Sequence, residues 1–145
     1  MQREMGDLRG IANTLGSLGN AARSQGDDGR ARALYEESLA ILRELGDRRG
    51  IAESLEMFAA LAVAQQPERA ARLFGAAEAL REAIRAPRPV IDRADYERQV
   101  AATCAALGEE AFGAAWAEGR ALSLEEAIQN ALQDRDCVPP LESLP

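Results

Sequence analysis

Residues 44–55 read ELGDRRGIAESL, and residues 4–15 read EMGDLRGIANTL. Gly10-Ile11-Ala12 aligns with Gly50-Ile51-Ala52, a period of 40 residues. The same offset joins Gly6-Asp7 to Gly46-Asp47 and Leu15 to Leu55. Further on, ARALYEESLAILREL (31–45) matches AARLFGAAEALREAI (70–84) at an offset of 39, so that Tyr35 pairs with Phe74 and Ile41 with Leu80. One residue is lost between the copies, where GDDGR gives way to QPER, and a turn is the place that tolerates a deletion best. A fixed period of this size is the signature of a solenoid of stacked units.

Each unit reads as two helices. The first runs from about Leu8 to Ser24, with Ile11, Leu15, Leu18 and Ala22 recurring at three- and four-residue spacing as one apolar stripe. GDDG at 26–29 breaks the pattern, with Gly26 as a C-cap and Asp27 or Asp28 as an N-cap. The second helix runs from about Gly29 to Leu45, and Gly46-Asp47 ends it and starts the next. The copy then spans about Arg48 to Ala64 and Pro67 to Arg85, with Pro67 suited to a first helical turn. Met1–Met5 aligns with the last turn of a second helix. Since a solenoid unit cannot bury its faces alone, the expectation is a fragment, or an N-terminal face covered by something else.

RAPRPVID (85–92) closes the repeats with an extended linker, because each proline restricts the residue before it. Asp92 is the expected cap of a helix reaching Leu107, with Tyr96, Val100, Thr103, Cys104 and Leu107 on one stripe. Residues 107–122 form another helix, with Phe112, Ala115, Trp116 and Gly119 on one face. Ser123 and Glu126 make a capping box for a last helix ending near Leu132. The divisions are thus 1–85 for two elongated repeats, the first preceded by a half-repeat, then 86–133 for a three-helix cap, and 134–145 for a flexible tail.

The chain is 145 residues long, 47% apolar and short of aromatics, with net charge −7, no Lys and no His. Ala, Leu, Arg and Glu, which dominate it, are the strongest helix formers. A negative balance argues against a nucleic-acid surface, which needs clustered positive charge. No apolar run is long enough to span a bilayer and the first residues lack a secretory core, so the reading is soluble and cytoplasmic, with no membrane partner. Cys104 and Cys137 have no CxxC spacing, and without His a zinc site lacks ligands. Cys104 reads as an ordinary packed thiol.

Leu18-Gly19, Ala22, Gly26, Ala31, Tyr35 and Ser38 follow a known spacing, repeated as Phe58-Ala59, Ala62, Ala70, Phe74 and Ala77. In this the chain resembles the tetratricopeptide repeat, here lengthened from about 34 residues to about 40. The resemblance implies an all-α, right-handed solenoid of helical hairpins, with Gly19 and Ala31 where paired helices approach closely. It places Asn13, Gly16, Asn20 and Arg23 of the first repeat, and Glu53, Glu56 and Ala60 of the second, on the concave face. Members that clamp a peptide carboxylate use Lys and Asn there. Asn20 fits, but Gly16 stands at the Lys position, and Glu53 with Glu56 would suit a basic partner or an intramolecular one. Ile11, Leu15 and Leu18 are the expected N-terminal apolar interface.

LFGAAEALRE, DYER and LGEEAFGAAWAEGRALSLEEA follow one another within residues 68–132. This order resembles the C-terminal end of large bacterial regulators that join an ATPase module to tetratricopeptide repeats, some with a LuxR-type DNA-binding domain. The resemblance implies a signalling context. The chain contains neither a GxxxxGK[ST] phosphate loop nor a DNA-reading module. Among its 24 carboxylates the adjacent pairs Glu36-Glu37, Glu109-Glu110 and Glu125-Glu126 diverge on a helix, and its serines have no His to activate them. The expected function is therefore non-catalytic: protein interaction through upstream domains or a homodimer partner, without cofactor. The alternatives are a self-assembling adaptor and a domain that senses a small effector in the groove.

Overall fold

Two chemistries set the turns. In the computed structural model, which describes residues 2–133 with side chains from residue 6 onward, Gly26 (φ 84°) and Gly46 (φ 69°) occupy the left-handed region. That region costs a residue with a Cβ about 1 kcal/mol or more, and glycine nothing. After each glycine an aspartate caps the next helix: Asp27 accepts from the Arg30 N–H at 3.2 Å, and Asp47 from the Gly50 N–H at 3.0 Å. The result is α1 (Gln2–Ser24), α2 (Asp28–Leu45), α3 (Arg48–Ala62) and α4 (Pro67–Ile84), two antiparallel hairpins in series. Beyond them come α5 (Val90–Leu107), α6 (Glu109–Arg120) and α7 (Leu124–Leu132). All the described elements are helices, an all-α tetratricopeptide-like fold with a C-terminal helical cap.

The core runs along the seam between hairpins. Tyr35, Leu39, Ile51, Leu55, Leu73 and Phe74 are fully buried there. Gly19 lies against the Tyr35 ring, where an added Cβ would stand 2.5 Å from its Cε1. Ser38 is buried with its hydroxyl donating to the Ala12 carbonyl at 2.8 Å, so it leaves no unmet polar group.

The cap does two things. Helix α6 crosses α4 at backbone distance: a Cβ on Gly75 would fall 2.3 Å from the Trp116 carbonyl oxygen, and one on Gly119 only 1.9 Å from that of Arg72. Helix α7 folds back over the first two hairpins, burying Ala127, Ile128 and Ala131. The capping box forms as expected, with Ser123 N–H to Glu126 at 2.9 Å and Glu126 N–H to Ser123 at 3.1 Å. At the other end Arg32 donates to the carbonyls of Leu132 (3.3 Å) and Gln133 (3.0 Å), and Arg69 to those of Asn130 and Ala131 (2.9 Å each). These are the carbonyls a helix end leaves unpaired, and the positive charge suits that end of the dipole.

Four expectations are corrected in detail. Gly6-Asp7 is not a turn: α1 runs through it from Gln2 to Ser24. Asp92 does not cap α5, which opens two residues earlier after Pro89, whose ring already holds φ at −57°. The stripe of Ile11, Leu15, Leu18 and Ala22 is split. Ala12 and Ala22 face the core, where the helices are close and only small residues fit, while Ile11 and Leu18 stay 49% and 45% exposed and Leu15 is half-buried. Gly16, expected on the open groove face, is buried beside Met57 of α3. Cys104 is half-buried and free. The tail and Cys137 lie outside the described residues.

Candidate functional site

Helices α1, α3, α4 and α5 enclose a groove of about 260 Å³. Asn20, Arg23, Glu53 and Glu56 line it, with Met57 and Ala60 at its floor. The second wall is Asp92, Asp95, Tyr96 and Gln99 of α5. Of the residues expected on this face, only Asn13 and the buried Gly16 lie outside the lining; Asn13 is exposed on α1.

Most of these side chains are already engaged. Tyr35 donates its hydroxyl to Asn20 Oδ1 at 2.5 Å and accepts from Arg23 Nε at 3.2 Å. Burial pushes the Tyr35 phenol above its ordinary range, and the Arg23 charge offsets part of this. Glu56 accepts a two-pronged bond from Arg81, at 2.8 and 3.1 Å, and a further bond from Arg88. Arg88 also reaches Glu78 at 3.2 Å and lies 3.4 Å from the centre of the Tyr96 ring. Burial works against the charged Arg88, but the bond to and charge of Glu56 outweigh it, and its pKa stands above the usual guanidinium value. Burial likewise raises the Tyr96 phenol.

Arg81 is the residue that sequence reasoning missed, although the repeat carries a signal for it. At the offset of 39 it stands where the first repeat has Leu42, and both are 4% exposed. At the offset of 40, Glu56 stands where the first repeat has Gly16. The second repeat thus places a buried ion pair at two positions where the first has Gly and Leu. A carboxylate that nearly bidentately holds a buried guanidinium is not offered to a ligand.

What remains open is Glu53 with Asp92 and Asp95, of which Asp95 also pairs with Arg98 at 3.1 Å. Burial raises the Glu53 carboxyl above its ordinary value against the pull of Arg81 and Arg49. The lining contains no nucleophilic hydroxyl or thiol other than the Tyr96 phenol. Among the described residues no cluster of acids, His and Cys could hold a metal, and no helix is long and apolar enough to cross a membrane.

Residues 6–83, more than half of the chain, match the model of the tetratricopeptide repeat. The chain belongs to the tetratricopeptide-repeat family. This is a family of protein-interaction modules, typically without catalytic activity. Over 64 residues, 44% of its length, this tetratricopeptide-repeat chain is 50% identical to a protein of Mycobacterium bovis and to one from each of two Mycobacterium tuberculosis strains. All three carry the provisional name HTH-type transcriptional regulator, and the match spans 7% of their length. No solved structure matches the chain.

Proposed function

We propose that the chain is a non-catalytic interaction segment of a larger bacterial, cytoplasmic transcription regulator, in which α1 seats a preceding helix. The observation that carries this reading is an asymmetry between the repeats. Ile51 and Phe58 of α3 are 1% and 2% exposed against α2, whereas their equivalents Ile11 and Leu18 on α1 are 49% and 45% exposed. The α1 face therefore has the pattern that receives an α2-like helix, with no such helix on it among the described residues. Completing the burial of these two side chains would add roughly 2 kcal/mol. The regulators that share half of the compared residues, and far exceed this chain in length, supply the context. The groove acids Glu53 and Asp92 suit a basic segment of a protein partner rather than nucleic acid.

A labelled peptide of the α2 sequence, residues 28–45, tests the seat. Saturable binding that Leu18→Glu abolishes supports it. A second reading, a homodimeric adaptor, draws on the same exposed residues. Light scattering across a dilution series would then show a dimer that Leu18→Glu dissociates. A monomer that ignores the peptide removes both readings.

A further inference from the structure

A second cavity, of about 530 Å³, lies where α4 ends and α5 begins. It shares Arg81, Arg88 and Tyr96 with the groove, and Arg85, Pro87 and Arg93 line it in addition. Its volume falls within the range of about 300–1,000 Å³ typical of small-molecule sites. Four of the chain's 17 basic residues converge on it, which in a chain of net charge −7 is a local reversal of sign.

The charges divide into fixed and open ones. Arg81 and Arg88 are pinned by Glu56, and Glu78 is taken up by Arg88 and by the Tyr96 hydroxyl at 3.3 Å. Glu82 is held by Arg120 at 2.8 Å. Arg85 and Arg93 have no ion-pair partner among the described residues, and Glu97 is the one wall carboxylate left uncompensated. Two of the last four carbonyls of α4, which would repel an anion, are taken up within the turn: Arg85 N–H donates to Glu82 O at 3.3 Å and Ala86 N–H to Arg81 O at 3.0 Å.

The backbone supplies an independent observation. At the offset of 39, Arg85 stands where the first repeat has Gly46, and it adopts the same left-handed conformation, φ 55° against 69°. It is the one residue other than glycine with positive φ among the described residues. The repeat shows that glycine serves this turn, yet the second copy places a cation there, on the cavity wall. Strain of this kind persists where the side chain has a use.

We propose that this cavity binds a small organic anion, a carboxylate or phosphate monoester with an apolar body. The guanidinium groups of Arg85 and Arg93 hold its charge, and Pro87 and the Tyr96 ring pack its body. Planar, forked donors match the paired oxygens of either acid. The site is separate from the interaction face on α1 and does not rest on it.

The test is an NMR titration of the full chain with benzoate and, separately, phenyl phosphate, following the backbone of residues 85–97 and the Arg Nε–H signals. Saturable shifts there with at least one probe by about 10 mM are expected, the range in which fragment-sized ligands bind. Arg93→Gln and Arg85→Gly should each weaken binding about tenfold, the step lost with one charge-assisted contact. Arg85→Gly should also raise Tm, so lost binding cannot be ascribed to lost folding. Which acid binds more tightly identifies the class. Absence of saturation with both probes overturns the proposal. So does affinity unchanged in both variants, or equal binding of benzyl alcohol.

Discussion

Replacing Gly119 by Ala adds one methyl group to the helix that closes the structure, and should cost far more than that suggests. The new Cβ would stand 1.9 Å from the Arg72 carbonyl oxygen, against the 3.4 Å at which ordinary contact begins, a shortfall of 1.5 Å. The obstacle is backbone, so no side chain can rotate away. Helix α6 must retreat from α4 along a seam of small residues, Ala71 and Gly75 facing Ala115 and Gly119. A gap of even 0.5–1 Å forfeits about a quarter to a half of the dispersion energy of each facing pair. Overpacking on this scale costs about 3–4 kcal/mol, and the better helix propensity of Ala returns about 1, leaving a net loss of about 2–3 kcal/mol. For a chain of this length that lowers Tm by about 5–10 °C. Gly113, on the same helix, provides the control, since an added Cβ there meets nothing within 4 Å. Gly113→Ala should stabilise by about 0.5–1 kcal/mol through propensity alone. Urea and thermal unfolding followed by circular dichroism would measure both, and Trp116 emission would report whether α6 leaves α4 ahead of global unfolding. Equal stability of the two variants would refute the close α4–α6 crossing.

Two further outcomes follow from the charges. Glu53 has a raised carboxyl pKa, so the folded state holds its proton more tightly than the unfolded chain. The stability this confers is present in acid and declines as pH rises through the carboxylate range and above it. Glu53→Gln should therefore be more stable than the parent at pH 7, by a margin that shrinks to nothing below about pH 4; a margin independent of pH, measured by Tm across that range, counts against the assignment. Glu56→Ala leaves the buried Arg81 without its counter-charge and should cost about 3 kcal/mol, whereas adding Arg81→Leu, the residue type of the first repeat at this place, should recover most of it. A urea midpoint for Glu56→Ala close to that of the parent would show that the pair carries little of the fold.

The parts of this molecule legible in sequence are those whose cause is local. Gly26-Asp27 and Gly46-Asp47 place their turns because a left-handed glycine and a side-chain cap act over three or four residues. The Ser123–Glu126 box is read for the same reason. Where the cause is tertiary, identical text has different meanings. Gly113 and Gly119 lie six residues apart on one helix; one faces solvent and the other a carbonyl of α4, and no local pattern tells them apart. Gly6-Asp7 repeats the letters of Gly46-Asp47 but remains helical within α1, so the two letters alone do not decide a turn. The groove joins both cases. In sequence Glu53 and Glu56 suit a basic partner or an intramolecular one, but Glu56 lies 25 residues from Arg81 and 32 from Arg88, and only folding shows that these consume it. The comparison of copies did contain the clue: a charge at the place of Leu42, and its opposite at the place of Gly16, can coexist in a packed hairpin only by meeting each other. In the proposed reading a basic segment would meet Glu53 on α3 and Asp92 on α5, acids that one repeat alone does not bring together. Helix α5 is thus more than part of a lid on the solenoid, because it supplies two of the four acids that line the groove.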